Sequence, residues 1–179
     1  MRIISGTHRG KQLIAPKTLP VRPTTDFAKE SLFNILNNYF FLDSIKVLDL
    51  FAGTGNISYE FGSRGCADIT AVDSHPACVQ YIRKTAEALA YPIEVVKSDV
   101  FTYLDRSLSQ YDVIFADPPY DIDPDSLERL IETVFERNLL SEDGLLIVEH
   151  SSKVHLEEDP HFQEERRYGG TTFSIFNND

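Results

Sequence analysis

Asp117-Pro118-Pro119-Tyr120 closes the apolar run Val113-Ile114-Phe115-Ala116. Two consecutive prolines remove two backbone donors and end strand pairing, while their carbonyls remain as acceptors. A carboxylate, a carbonyl and an aromatic ring therefore stand together on a stiff platform. An exocyclic amino group on a nucleic-acid base is a poor nucleophile, because its lone pair is delocalised into the ring. Acceptors on its two hydrogens, Asp117 and the Pro118 carbonyl, favour a pyramidal and more reactive nitrogen. Pro119 keeps the platform rigid. Tyr120 can stack on a base splayed out of its surroundings.

A second group of residues suits a nucleoside ligand. Asp49-Leu50-Phe51-Ala52-Gly53-Thr54-Gly55 ends an apolar strand pattern and opens a helix. Its glycines permit close ligand approach. Position 58 is Ser58, so the third glycine of a dinucleotide fingerprint is missing, and there is no P-loop lysine. Asp73 ends the next strand, followed by Ser74, and a carboxylate there can accept ribose hydroxyls or cap a turn before Pro76. Asp99, before Val100, can accept an adenine amino group or cap the following helix. A nucleoside without pyrophosphate is S-adenosylmethionine, whose sulfonium needs no metal to release a methyl group. The expected cofactor residues are Asp49, Phe51, Gly53, Gly55, Asp73, Ser74, Asp99, Val100 and Asp117, with S-adenosylhomocysteine as product.

These residues need strand ends to carry them. KVLDLF, DITAVD, IEVVKSD, the run to Ala116 and GLLIVEH read as five strands alternating with helices, the third of these starting at about Val100. FQEERRY and TTFSIF, joined at Gly169-Gly170, make an antiparallel pair. The expected fold is α/β: a mostly parallel seven-stranded sheet with an antiparallel C-terminal hairpin, a Rossmann-like methyltransferase. Ligands bind such sheets at the carboxyl ends of the strands. Residues 1–40 read as an RNA-facing extension: RIIS and KQLIA as a hairpin, breaks at Pro16, Pro20 and Pro23, then a helix from Thr24 or Thr25 to about Asn38 with Phe27 on its apolar face. Residues 41–179 form the cofactor-binding domain. Phe33, Tyr39, Phe40 and Phe41 read as core or helix-end packing.

The 179 residues carry a net charge of −11, yet residues 1–30 hold six bases against two acids. A basic arm before an acidic body fits a nucleic-acid contact better than the total suggests. Arg9, Lys11, Arg22 and Thr24 are the candidate RNA contacts. Thr24 and Asp26 can also serve as helix caps. Cys66 and Cys78 have neither metal nor disulfide spacing. No apolar run reaches membrane-spanning length and the N-terminus lacks a signal-peptide core, so a cytoplasmic monomer is expected.

The chain resembles the bacterial guanine-N2 methyltransferases of small-subunit (16S) ribosomal RNA. RIISGTHRGKQL, RPTTDFAKESLFNIL, LDLFAGTGNISYEFGSRGC, DPPY, VEH and YGGTTFSIF carry the likeness over nearly the whole length. The glycine loop and DPPY are shared by many amino-methyltransferases, whereas the N-terminal segments are specific to this family. The resemblance implies ribosomal RNA as partner, in the small subunit or an assembly intermediate, cofactor binding around Gly53, Gly55, Asp73 and Asp99, and catalysis at Asp117 to Tyr120. Phe27 departs from it, since the family usually has arginine there. His150 beside Glu149 is a weak catalytic candidate. An adenine-N6 methyltransferase would share the DPPY chemistry, and a non-catalytic RNA-binding module would share the fold alone.

Overall fold

The computed structural model describes residues 1–22 and 24–179; Pro23, expected to break regular structure, lies outside them. Among the described residues the elements run α1 (Asp26–Asn37), β1 (Lys46–Leu50), α2 (Asn56–Ser63), β2 (Asp68–Asp73), α3 (Pro76–Leu89), β3 (Ile93–Lys97), α4 (Val100–Arg106), β4 (Tyr111–Ala116), α5 (Pro124–Glu136), β5 (Leu140–Ser151), β6 (Phe162–Tyr168) and β7 (Thr171–Phe176), with a 3-10 turn at Leu42–Ser44. Local chemistry starts each helix. The Thr25 hydroxyl accepts from the Ala28 N–H at 3.2 Å and opens α1. Gly55 enters α2 with φ of +83°, a left-handed conformation that suits glycine. Pro76 and Pro124 occupy first turns, where their missing N–H is not needed.

The sheet order is β3-β2-β1-β4-β5-β7-β6. β1 through β5 are mutually parallel, and β7 runs antiparallel to both β5 and β6. The order reverses between β1 and β4, so the glycine loop and the Asp117 platform flank the switch point. This is the architecture the strand–helix alternation predicts.

Strand alternation sends side chains to two covered faces. Val47, Phe115 and Ile147 pack with Leu32, Phe33 and Leu36 of α1 and Phe61 of α2. Leu48, Ile114 and Leu146 pack against α4 and α5 through Leu104, Leu127 and Leu130. The N-terminal extension and the body therefore share a core. No helix of the described residues is long and apolar enough to cross a membrane.

Four details differ from expectation. RIIS and KQLIA pair as a short irregular hairpin, with one bridge, Arg2 with Gln12, and bonds from the Ile3 N–H to the Lys11 carbonyl at 3.0 Å and from the Leu13 N–H to the Met1 carbonyl at 2.9 Å; α2 holds the segment as well. The Thr7 N–H donates to the Ser63 carbonyl at 2.8 Å, and the Ser63 hydroxyl donates to the Ser5 carbonyl at 2.6 Å. Phe27 is 66% exposed and meets Tyr168 edge-on; the buried face of α1 is carried by Ala28, Leu32, Phe33 and Leu36. Phe33 is core, as expected, whereas Tyr39 and Phe41 are exposed. β5 begins four residues before GLLIVEH, and a register shift between Tyr111 and Val113 accommodates the longer strand.

Candidate active site

At the end of β1 the chain turns sharply. Phe51 has a φ of +54°, Gly53 +58° and Gly55 +83°. A Cβ on Gly55 would lie 2.6 Å from the Tyr59 ring, so no larger residue fits. The Asp73 Oδ2 accepts the Gly53 N–H and its Oδ1 accepts the His75 N–H, each at 2.8 Å. Asp73 thus ties the glycine loop to the start of α3 and retains lone pairs for a ligand hydroxyl. Ser74 beside it is exposed.

Asp49 lies beneath this loop, fully enclosed. The Ser58 hydroxyl donates to its Oδ2 at 2.6 Å, which explains a serine where a dinucleotide fingerprint has glycine. Burial, with a smaller push from Asp73, raises its carboxyl to about 7. Asp99 caps α4, its Oδ2 accepting from the Thr102 N–H at 2.9 Å and the Thr102 hydroxyl at 3.2 Å. The capping alternative is realised, and it does not consume Oδ1. Asp99 is exposed and Val100 buried. Two strand-end carboxylates beside a glycine cradle suit a ribosyl and adenine ligand.

The Asp117 platform is joined to this cradle: the Asp117 N–H reaches the Leu50 carbonyl at 3.4 Å, at the end of β1. Pro118 is buried, Pro119 exposed, and Tyr120 is 77% exposed, free to meet a flat ligand. Burial first, then the charges of Glu149 and Asp49, push the Asp117 carboxyl up to about 8.

The segment before α1 crosses the site. Val21 sits over the glycine loop, 3.2 Å from where a Gly53 Cβ would be. Arg22 is exposed. Thr24 is buried and turned inward instead of toward RNA, its hydroxyl donating to Glu149 Oε2 at 2.7 Å. Asn56, the first residue of α2, donates to the Thr24 carbonyl at 3.1 Å. Between this segment and the loop lies a cavity of about 380 Å³, lined by Met1, Leu13, Val21 and Thr54 among others. Arg9 and Lys11 are exposed but sit apart from the platform. Their turn docks at the far end of α2, and eight helical residues span roughly 12 Å.

His150 faces away from Asp117. Its Nδ1 donates to the Ser151 carbonyl at 2.8 Å, so Nε2 accepts from the Ser174 hydroxyl at 2.7 Å. Burial holds its pKa below the ordinary histidine value, and its role is structural. Sequence reasoning named Glu149 only as the neighbour of His150, with no role of its own, and overlooked Asn56. The available signal was the two-residue step from Ile147 to Glu149, which keeps that carboxylate on the face of Phe115 and Asp117.

The pattern of the family described as Conserved hypothetical protein 95 matches residues 1–177. YlbH of Bacillus subtilis (strain 168) is 34% identical over 184 residues, covering 98% of each chain. Ribosomal RNA small subunit methyltransferase D of Escherichia coli (strain K12) is 33% identical over 150 residues, covering 83% of this chain and 74% of that one. The solved structure of yhhF from Escherichia coli matches with a TM-score of 0.85 at 30% identity, covering 98% of this chain and 96% of that one. Strand ends bearing a glycine cradle and the Asp117 platform thus coincide with full-length similarity, and the chain belongs to the Conserved hypothetical protein 95 family of S-adenosylmethionine-dependent methyltransferases.

Proposed function

We propose that this protein transfers a methyl group from S-adenosylmethionine to the exocyclic N2 amino group of a guanine in small-subunit ribosomal RNA. The observation that carries the reading is the joining of the Asp117 platform to the glycine cradle at the sheet's switch point. The name of the Escherichia coli relative supports the substrate class.

Gly53, Gly55, Asp73, Ser74 and Asp99 would hold the cofactor, with Phe51 and Val100 packing beside it and Asp49 supporting the loop from below. Bound there, it supplies an electrophilic methyl group on a sulfonium. Asp117 and the Pro118 carbonyl accept the two amino hydrogens and orient the nitrogen lone pair, Pro119 keeps them fixed, and Tyr120 stacks on the base. Positioning of this kind converts an encounter into an effectively unimolecular step. Arg22 meets RNA at the site. Arg9 and Lys11 meet phosphates farther along the molecule, where contacts fix register without reading sequence. The setting is a cytoplasmic monomer acting on the small subunit or on an intermediate of its assembly.

The test is transfer of labelled methyl to small ribosomal subunits lacking the modification, followed by nucleoside analysis. Label in N2-methylguanosine supports the proposal. Label in N6-methyladenosine overturns the target atom. RNA binding without turnover at saturating cofactor overturns the enzymatic reading.

A further inference from the structure

Glu149 has no part in the chemistry described so far, yet the sheet sets it beside Asp117. β4 and β5 pair in parallel up to Ala116 opposite Val148, so the next residue of each strand, Asp117 and Glu149, stand side by side. Asp49 pairs in register with Phe115, two residues before Asp117, which puts all three carboxylates on one face. The groups turned toward Glu149 are Asp117 from β4, and Thr24 and Arg22 from the segment before α1, while Asp49 from β1 acts on Asp117 from its other side. Thr24 donates its hydroxyl to Glu149 and is itself held through its carbonyl by Asn56.

We propose that Glu149 is a positioning residue for the proton that methyl transfer releases: its charge, kept in place by Thr24, makes Asp117 the carboxylate that takes this proton from the amine. The proposal rests on the reading of Asp117 as the group that holds the amino nitrogen. As the N–C bond forms, the C–S bond breaks and its electron pair stays on sulfur, leaving a cationic amine. That nitrogen gives one proton to the Asp117 carboxylate and leaves as the neutral methylated amine. An ordinary carboxylate can take this proton once the amine is cationic, and a higher proton affinity lets the transfer begin earlier, as the N–C bond forms. A second carboxylate beside it raises its proton affinity toward the working range. The directions agree: Asp117 is pushed up by burial and by Glu149, whereas the Thr24 hydroxyl and Arg22 oppose the rise at Glu149 itself. Charge is thus favoured on Glu149, and Asp117, a carboxylate when it holds the amine, has the higher proton affinity of the two.

The experiment follows the Asp117 carboxyl carbon by NMR through a pH titration, assigned by its loss in Asp117→Asn, in wild type, Glu149→Gln and Glu149→Asp. Rate profiles against pH on unmodified small ribosomal subunits accompany it. Glu149→Gln should move the Asp117 titration and the acid limb of the rate profile to lower pH by roughly one unit or more. Glu149→Asp, which keeps the charge, should stay near wild type, whereas a merely structural role would not separate the two variants. Titration of Asp117 at the same pH in wild type and Glu149→Gln overturns the proposal. So does titration of wild-type Asp117 in the ordinary carboxylate range, a result available even if Glu149→Gln does not fold. Full transfer activity in Asp117→Asn would overturn the reading of Asp117 itself, a different failure.

Discussion

Glu60 and Glu149 are both carboxylates enclosed by the fold, and their surroundings differ sharply. Glu60 accepts the Ile4 and Ser5 N–H groups at 3.0 Å each and the Arg64 Nε–H at 2.9 Å, with Lys29 Nζ 3.4 Å away. Lys29, itself wholly buried, also donates to Asn56 Oδ1 at 2.8 Å and to the Arg2 carbonyl. Every charge in that cluster has partners, and the cluster pins the N-terminal segment to α1 and α2. At the strand ends, Glu149 has one hydroxyl and the charge of an exposed Arg22, and the Asp117 beside it has only acids, Glu149 and Asp49, for charged neighbours. Compensated charge holds geometry. Uncompensated charge costs stability and keeps a group reactive.

The largest expected effect separates the two clusters by function. Asp117→Asn should lower methyl transfer by roughly 10²–10⁴-fold while leaving the midpoint of thermal unfolding at pH 8 equal to or above wild type. Next, Lys29→Met leaves Glu60 short of a cation and should cost about 3–5 kcal/mol in chemical denaturation. The double variant Lys29→Met with Glu60→Gln should lose less than the two singles together; additive losses would show that the cluster is not one unit.

A smaller effect comes from pH. Asp117 and Asp49 are held up to about 8 and about 7, from an ordinary 3.8. The folded protein thus binds their protons more tightly than the unfolded chain does. Their contribution to stability is full below about pH 4 and is lost as pH rises toward 8. Asp49→Asn and Asp117→Asn should therefore gain in melting temperature relative to wild type as pH rises through that window. A constant difference would contradict the burial of these charges. The smallest effect tests the arm: Arg9→Ala should reduce the slope of log affinity against log salt by about 0.7 if that side chain neutralises one phosphate of single-stranded RNA.

Much of the fold was legible because strand and helix periods alternate cleanly from Lys46 onward, and because Asp49, Asp73 and Asp117 stand at strand ends followed by glycine or proline, with Asp99 past β3 as a helix cap. The strand-end carboxylates of the candidate site could be placed on that basis. The supporting half could not. Lys29 pairs with Glu60 across 31 positions, and no local pattern announces such a contact. A lysine on the same helical face as Leu32, Phe33 and Leu36 was the faint sign that it had a buried partner. The same offset put Phe27 outside. RIIS pairs with its partner segment only as far as Ile3, whose N–H donates to the Lys11 carbonyl; the next N–H groups, of Ile4 and Ser5, turn to Glu60 on α2 and end the pairing.

The tether from Ile4 to Glu60 spans 56 residues, and it sets an order of events during synthesis. A ribosome makes the arm well before it makes the helix on which the arm rests. Until α2 has formed, residues 1–13 have only the few bonds they make to one another, and closing so long a loop is entropically costly without the core already in place. The arm is thus expected to settle late and to come loose first, so its basic face is completed only once the sheet stands.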